Sequence, residues 1–191
     1  MAFHFFPAAF LRHLAEIRYH LERGGLIAYP TESCYGLGCD PRNYRAVRAL
    51  QRLKQRPQNK GLIVVGYSFS QLRGLVAPLT ASQLKQVEAT WPGPHTWLLP
   101  VSKKTPRWLG GRNKTLAARV TAHPIAAALC RALDMALVST SANRSGGKAA
   151  KTAKACRSLF GKDVLIIPGQ IGLRKKPSTI QDLLGGKIVR S

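Results

Sequence analysis

Short apolar runs alternate with amphipathic stretches along nearly the whole chain, and this alternation constrains the fold more than any other feature. Apolar residues recur at helical spacing over residues 8–23, and residues 26–29 form an apolar run that ends at Pro30. The succession continues downstream, with strands predicted at 62–65, 95–101, 116–120, 136–139, 164–167, 179–183 and 187–190, and helices at 70–75, 80–90, 124–133 and 152–160. Strands that alternate with helices predict an α/β fold around a largely buried sheet.

One further helix is predicted between the glycine-rich segment 30–38 and Pro57. Asp40 followed by Pro41 is typical of an N-cap and a first helical position. The apolar face of this helix carries Val47, Leu50 and Leu53, and the opposite face carries Arg45, Arg48 and Arg52. No internal repeat, low-complexity tract or linker interrupts the pattern, so residues 1–191 are expected to form a single domain.

Composition excludes several classes of protein. The chain has 191 residues, of which 45% are hydrophobic and 20% charged, as in a packed globular domain. Its four cysteines form no C-x-x-C pair and have no histidine at zinc-finger spacing, which argues against a metal ribbon or a disulfide scaffold. The apolar N-terminus lacks a basic region and is interrupted by charges, which argues against an export signal or a membrane span. A cytoplasmic protein with reduced thiols is expected.

The charge balance is strongly basic. The chain carries 30 Lys and Arg residues against 8 Asp and Glu residues, a formal net charge of +22. Such a surface attracts polyanions, so RNA or a nucleotide is the expected partner. Charge alone does not choose between RNA and ATP, and a purely solubilising surface stays open as an alternative.

The segment from Pro30 to Gly38 is predicted to be a loop that follows a strand and precedes a helix. Open α/β sheets bind ligands beyond the carboxyl ends of their strands, and the hydroxyls and glycines of this loop suit a small polar ligand. The loop is not a G-x-G-x-x-G motif, because Pro41 stands at the third glycine position, and the chain has no G-x-x-x-x-G-K-[ST] motif. An ordinary turn is the alternative.

A cluster of cations lies just past the end of the predicted arginine-bearing helix. Lys54, Arg56 and Lys60 crowd into one short loop. Unit charges about 4 Å apart repel by roughly 4 kcal/mol at an effective dielectric near 20, so a triphosphate that relieves this repulsion would bind strongly. Compensation of the helix dipole is the alternative explanation.

Two further segments carry polar groups next to strands. Arg119 lies in the apolar run 115–120, where a guanidinium needs an anionic partner; a substrate carboxylate or a structural ion pair would serve. The turn at 138–147 is rich in small polar residues and can donate hydroxyl, amide and main-chain N–H groups to phosphate oxygens or to adenine. A plain surface turn would have a similar sequence. No Ser-His-Asp arrangement is readable among the histidines.

Together these segments resemble the YrdC-like threonylcarbamoyl-adenylate synthase family. The resemblance rests, in order along the chain, on PTESCYGLGCD, LKQRPQNKGLIV, WPGPHTWLLP, LAARVTAHP, LVSTSANRSG and PSTIQD. It extends from Gly24 to Arg190, and six separated matches are far more specific than any single one. The length is similar to that of the short, single-domain form of the family.

The resemblance implies a twisted mixed open sheet with packed helices and a deep basic groove. It implies Lys54 and Arg56 as catalytic residues, with Lys54, Arg56 and Lys60 on the ATP phosphates. Further contacts to ATP are implied for Thr115, Ser139, Ser141, Asn143 and Arg190. The residues implied at the threonine and carbamate end are Thr31, Ser33, Tyr35, Arg119 and Ser178. Ser33 and Pro177 depart from the family pattern, which has threonine and an acidic residue at these positions.

The activity that the resemblance implies is synthesis of threonylcarbamoyl-adenylate from L-threonine, bicarbonate and ATP for tRNA modification. Magnesium is expected on the phosphates, held mainly by phosphate oxygens and water, with no dedicated protein site. Affinity for tRNA and downstream threonylcarbamoyl-transfer proteins are expected partners, and no membrane partner is. A non-catalytic RNA-binding protein and a paralogue that acts on another amino acid remain as alternatives.

Overall fold

The computed structural model describes residues 8–55, 61–110 and 114–191. Helices in these ranges are α1 (Ala8–Glu22), α2 (Tyr44–Leu53), α3 (Phe69–Leu72), α4 (Ala81–Glu88), α5 (Arg107–Gly110), α6 (Pro124–Leu133) and α7 (Ala153–Phe160). The strands are β1 (Ile27–Pro30), β2 (Tyr35–Cys39), β3 (Ile63–Gly66), β4 (His95–Pro100), β5 (Thr115–Val120), β6 (Leu137–Ser141), β7 (Leu165–Ile166), β8 (Thr179–Asp182) and β9 (Ile188–Arg190). None of the described helices is long and apolar enough to cross a membrane.

The strands form one mixed sheet in the order β7-β1-β2-β6-β3-β5-β4-β8-β9. Three pairs are parallel, namely β1 with β7, β3 with β5 and β4 with β8, and the remaining neighbours are antiparallel. The predicted α/β fold with a twisted mixed sheet and packed helices is therefore confirmed.

Helices cover both faces of this sheet because alternate strand residues point to opposite sides. On one face, Ile27 and Leu137 pack with residues of α1 and α6. On the other face, Ala28 and Val138, the next residues along the same strands, pack with residues of α2 and α7. Burial on both faces explains why the strands read as continuous apolar runs.

The prediction of a loop over residues 30–38 was wrong in its second half. Tyr35–Cys39 is strand β2, antiparallel to β1, and Thr31–Cys34 is the turn of the hairpin that joins them. Two glycines weaken the strand signal of this segment, because glycine has low strand propensity. Tertiary packing overrides that preference: the Cβ of an alanine at Gly38 would lie 2.7 Å from the carbonyl oxygen of Val138 and 2.8 Å from the ring of Tyr29.

The predicted start of α2 at Asp40 and Pro41 was also wrong. The N-cap is Asn43, whose side chain accepts a hydrogen bond from the N–H of Ala46 at 3.1 Å. The carboxylate of Asp40 instead accepts from the main-chain N–H of Arg42 at 2.8 Å and pairs with its guanidinium at 3.0 Å. The side chain of Asp40 is thereby engaged in a local turn that precedes the helix.

Replacing Gly38 with alanine is expected to lower the free energy of unfolding by about 1–3 kcal/mol, because the new methyl group overpacks the contact between β2 and β6. Gly74→Ala is a matched control, since a Cβ there would meet nothing within 4 Å. Both substitutions change the entropy of the unfolded chain alike, so the control should shift stability by less than about 1 kcal/mol. Urea denaturation of both variants measures the difference; equal effects would contradict the close approach at Gly38.

Candidate active site

A cleft of about 550 Å³ opens over the central strands. Its floor is one face of the sheet, as the alternation of lining residues along β5 (Thr115, Ala117, Arg119) shows. Ser139, Thr140 and Ser141 at the end of β6 also line it. Adjacent strands bring these positions side by side, since Gly36 of β2 pairs with Ser141 and Ile63 of β3 pairs with both Ser139 and Ala117. The walls come from the β1–β2 turn, the loop after β6 and the β8–β9 hairpin.

Most of the predicted site residues meet in this cleft. Those that line it are Thr31, Ser33, Thr115, Arg119, Ser139, Ser141, Asn143, Ser178 and Arg190. Lys54 and Tyr35 are described but are not lining residues. Arg56 and Lys60 lie outside the described residues, although Gly61, where the description resumes, lines the cleft.

The β1–β2 turn is held by its own bonds and by a crossing segment. The N–H and the hydroxyl of Thr31 both donate to the carbonyl of Cys34, at 3.0 and 2.8 Å. From the segment after β7, the N–H of Gly172 donates to the carbonyl of Thr31 at 2.9 Å, and that of Arg174 donates to the carbonyl of Glu32 at 3.1 Å. The turn therefore presents its hydroxyls to the cleft from a fixed main chain.

Tyr35 anchors that crossing segment and does not face the cleft. Its side chain is fully buried, and its hydroxyl donates to the carbonyl of Gly169 at 2.7 Å and accepts from the Gly169 N–H at 3.1 Å. Burial raises the pKa of the phenol, an effect that the bond to the Gly169 carbonyl partly opposes. The structure thus places Tyr35 behind the turn, where it fixes the crossing segment.

Lys54 fastens the end of α2 to the loop after β6. Its side chain is buried, and its ammonium donates to the carbonyl of Ser141 and, at 3.0 and 3.1 Å, to the carbonyl and Oδ1 of Asn143. Its own carbonyl accepts from the N–H of Ser145 at 3.1 Å. A charged donor shared among three acceptors holds this loop firmly.

Asn143 completes the same loop from within. Its Oδ1 accepts from the hydroxyl of Ser141 at 2.6 Å, and its Nδ2 donates to the carbonyls of Arg144 and Gly147, both at 2.8 Å. The side-chain amide is therefore used mainly to shape the loop. The loop can offer its hydroxyls and main-chain N–H groups to a ligand only while this shape is kept.

Arg119 pairs with a carboxylate that the sequence did not single out. Its Nη2 lies 3.4 Å from Oε2 of Glu32, and both side chains are about nine-tenths buried. The other carboxylate oxygen, Oε1, accepts from the Thr121 hydroxyl at 2.6 Å and the Ala122 N–H at 3.2 Å. Burial tends to raise the pKa of Glu32, but Arg119 and these two hydrogen bonds outweigh it and leave the pKa below its usual value.

Ser178 is buried at the base of the β8–β9 hairpin. Its hydroxyl accepts from the hydroxyl of Thr96 at 3.0 Å and from the guanidinium of Arg190 at 2.9 Å. The carbonyl of Ser178 accepts two more bonds from Arg190, at 3.0 and 2.8 Å. Arg190 thereby holds β9 against Ser178 at the wall of the cleft.

Several lining residues were not among the predicted site residues, including Thr140, Cys34 and Pro177. Cys34 lines the cleft and is the one cysteine in the described ranges that is not buried. Pro177 lines it beside Ser178. Cys34 follows Ser33 and directly precedes β2. Because β2 was not predicted, the sequence did not show that the side chain of Cys34 would face the cleft.

Comparison with known proteins decides the family. The model of the Sua5/YciO/YrdC family, described as "Telomere recombination", matches residues 20–191. The chain belongs to this family. A threonylcarbamoyl-AMP synthase of Methylobacillus flagellatus is 58% identical over 174 residues, covering 91% of this chain and 97% of that protein. Another of Chromobacterium violaceum is 56% identical over 173 residues, covering 91% and 90%.

Solved structures of the family share the fold. Escherichia coli YciO superposes with a TM-score of 0.82 at 28% identity, covering 94% of this chain and 89% of that one. Sua5 of P. abyssi in complex with L-threonine superposes with a TM-score of 0.80 at 31% identity. This chain is covered to 88% in that comparison but spans only 50% of the longer Sua5 chain.

Proposed function

We propose that the protein synthesises L-threonylcarbamoyl-adenylate from L-threonine, bicarbonate and ATP, with release of pyrophosphate, for the formation of threonylcarbamoyladenosine next to the anticodon of tRNAs. The observation that carries the proposal is that one cleft joins a buried guanidinium, Arg119, to a hydroxyl-rich segment, residues 139–143, at the end of β6. The first suits an amino-acid carboxylate and the second a nucleotide. Relatives named threonylcarbamoyl-AMP synthase over almost the same length support it.

The reaction asks the protein mainly for positioning. The threonine amine attacks the carbon of bicarbonate and water leaves, which gives a carbamate. A carbamate oxygen then attacks the α-phosphorus of ATP in line, and the bond to the β,γ-pyrophosphate breaks. Holding the three reactants in register and stabilising the developing negative charge accounts for such catalysis without a carboxylate pair or a nucleophilic triad.

At the nucleotide end, Ser139, Ser141 and Thr115 bind ATP with main-chain groups of the loop after β6. Lys54 acts as a positioning residue for that loop, since its ammonium binds the side chain and the carbonyl of Asn143. Asn143 itself lines the cleft and holds the shape of the loop through its side-chain amide. Arg56 and Lys60 bind the phosphates, and Arg190 closes the cleft wall from the hairpin. Binding of the triphosphate by these cations is what the expected basic groove would provide.

At the amino-acid end, Arg119 binds the threonine carboxylate. Thr31, Ser33 and Ser178 supply hydroxyls around the threonine side chain and the carbamate. Tyr35 acts from behind the turn through Gly169. The P. abyssi Sua5 complex with L-threonine supports an amino-acid site in this fold.

Magnesium arrives with ATP in this proposal. No group of three His, Cys, Asp or Glu side chains in the described ranges is arranged to hold a metal ion. Among the described residues, the polar side chains that line the cleft are hydroxyls, the amide of Asn143, the thiol of Cys34 and the cations Arg119 and Arg190, and cations repel Mg²⁺. Phosphate oxygens and water therefore supply its ligands, and the ion neutralises the triphosphate.

Binding of tRNA would use a surface separate from the cleft. Arg45 and Arg52 are exposed and Arg48 is half-buried along one face of α2. Replacing Arg45 and Arg48 with glutamine is expected to weaken RNA binding and to reduce its salt slope by about one for each phosphate that the variant no longer neutralises. Pyrophosphate release should stay at the wild-type rate. Filter binding across a salt series measures the first and a coupled pyrophosphate assay the second; a parallel loss of both would contradict separate surfaces.

Turnover tests the function directly. The purified protein, given L-threonine, bicarbonate, ATP and Mg²⁺, should release pyrophosphate and form an adenylate only when threonine is present. Retained tRNA binding without turnover would favour the non-catalytic RNA-binding alternative. Faster turnover with a different amino acid would favour the paralogue. Cytoplasmic location and transfer of the product to downstream threonylcarbamoyl-transfer proteins follow from the proposed role in tRNA modification.

A further inference from the structure

Glu32 is one of only 8 acidic residues in the chain, and the proposed chemistry gives it no role. It lies in the β1–β2 turn, where its neighbours Thr31 and Ser33 line the cleft. Its side chain is 12% exposed and reaches across to the end of β5. A carboxylate this deeply buried in a chain of net charge +22 calls for a specific electrostatic partner.

The two carboxylate oxygens of Glu32 make different contacts. Oε1 accepts from the Thr121 hydroxyl and the Ala122 N–H, and these bonds tie the turn to the segment directly after β5. Oε2 lies 3.4 Å from Nη2 of Arg119, beyond the roughly 2.7–2.9 Å of a charge-assisted hydrogen bond. Within the described part of the chain, neither Oε2 of Glu32 nor Nε of Arg119 has a hydrogen-bond partner. One oxygen holds the structure together, and the other contributes its charge beside Arg119.

That charge alters what the cleft attracts. Arg119 alone would present an unbalanced positive charge to the amino-acid end, which favours any small carboxylate. With Glu32 ionised beside it, the pair has no net charge, so a simple anion is attracted less strongly than it would be by Arg119 alone. A zwitterion still gains binding free energy, because its carboxylate is attracted by the guanidinium of Arg119 while its ammonium is attracted by the carboxylate of Glu32. The low pKa of Glu32 keeps it ionised at neutral pH.

We infer that Glu32 is a specificity-determining residue, which acts through its pairing with Arg119 to make the cleft select an amino-acid zwitterion over a carboxylate that lacks the amino group. The inference rests on the proposed binding of L-threonine. It needs no contact between Glu32 and the reacting atoms.

Selectivity between two ligands tests this role. The ligands are L-threonine and (R)-3-hydroxybutyrate, which is threonine without its amino group, and their dissociation constants are measured by calorimetry. In Glu32→Gln the amide oxygen can still accept from Thr121 and Ala122, but the charge is lost. The preference for threonine over hydroxybutyrate should fall at least about tenfold, which corresponds to about 1.4 kcal/mol.

Two further variants separate charge from shape. Glu32→Asp keeps the charge, and Thr121→Val keeps the charge but removes a hydrogen bond to Oε1. Both variants should keep the wild-type preference for threonine within about threefold, well short of the roughly 1.4 kcal/mol of a tenfold change. An unchanged preference in a folded Glu32→Gln would overturn the inference, as would an equal collapse in Gln and Asp variants. Wild-type protein that binds no threonine would instead contradict the proposed function itself.

Discussion

Lys54→Met is expected to lower kcat/KM for adenylate formation by about a hundredfold, the scale on which small misplacement of catalytic groups reduces rates. Methionine keeps the length of the side chain but leaves the carbonyls of Ser141 and Asn143 without their charged donor. The loop after β6 then loses the shape in which it faces the cleft. Pyrophosphate release at varied ATP concentration measures the loss, which should appear mainly in the affinity for ATP.

A matched lysine far from the loop controls for the charge change. Lys85 is exposed in the last turn of α4, so Lys85→Met removes the same charge without touching the cleft. Its kcat/KM should equal that of the wild type. If Lys54→Met kept normal ATP affinity with an intact fold, the loop would not depend on Lys54 and the positioning role would be wrong.

Arg119→Met should cost about 3–5 kcal/mol of unfolding free energy, because it strands the buried carboxylate of Glu32 without its cation. Threonine binding should be lost as well.

The second ion pair in the described ranges provides the control. The side chain of Arg42 is 69% exposed, and Asp40 keeps its bond from the main-chain N–H, so Arg42→Met should cost about 1 kcal/mol or less. Chemical denaturation of both variants compares them; similar costs would contradict the buried pair.

The acid dependence of stability provides a second check on the same pair. The pKa of Glu32 in the folded protein lies below its usual value, so the folded state binds fewer protons than the unfolded state over the interval between the two pKa values. The stabilisation is therefore complete above the ordinary glutamate pKa and is lost as pH falls through the folded value. In Arg119→Met, only the hydrogen bonds to Glu32 oppose the effect of burial on its pKa, so the folded pKa should rise. The loss of stability in acid should therefore be smaller than in the wild type. An unchanged acid slope would mean that Arg119 does not set the pKa of Glu32.

Local patterns were sufficient for most of the elements. Helix α6 occupies the predicted residues 124–133, because proline at the first helical position and an apolar face are both local signals. Strand β2 was missed, since its two glycines conceal a strand that its neighbours in the sheet stabilise. The N-cap of α2 was misplaced because Asp40 and Asn43 are equally good capping residues, and the ion pair with Arg42 takes Asp40.

The candidate site was foreseen as a set of segments but not as a set of contacts. Nine of the predicted residues line one cleft. Four of them, Thr115, Arg119, Ser139 and Ser141, lie on β5 and β6, which their pairing with β3 brings together. Tyr35 was expected there, yet its hydroxyl bonds to Gly169 behind the turn. Arg119 was expected to pair with a substrate carboxylate or to form a structural ion pair, and the structure pairs it with Glu32. Neither partner is close in sequence.

By itself the sequence determined the alternation of helices and strands, the basic character of the chain and the segments that carry polar groups. All of these depend on residue type and on spacing within one turn or one strand. Only the tertiary structure decided that Lys54 binds a loop 87 residues away, that Glu32 balances Arg119 and that Tyr35 faces inward. A buried polar group takes whichever partner the folded chain brings within about 3 Å, and that partner is set by strand order and packing across the sheet.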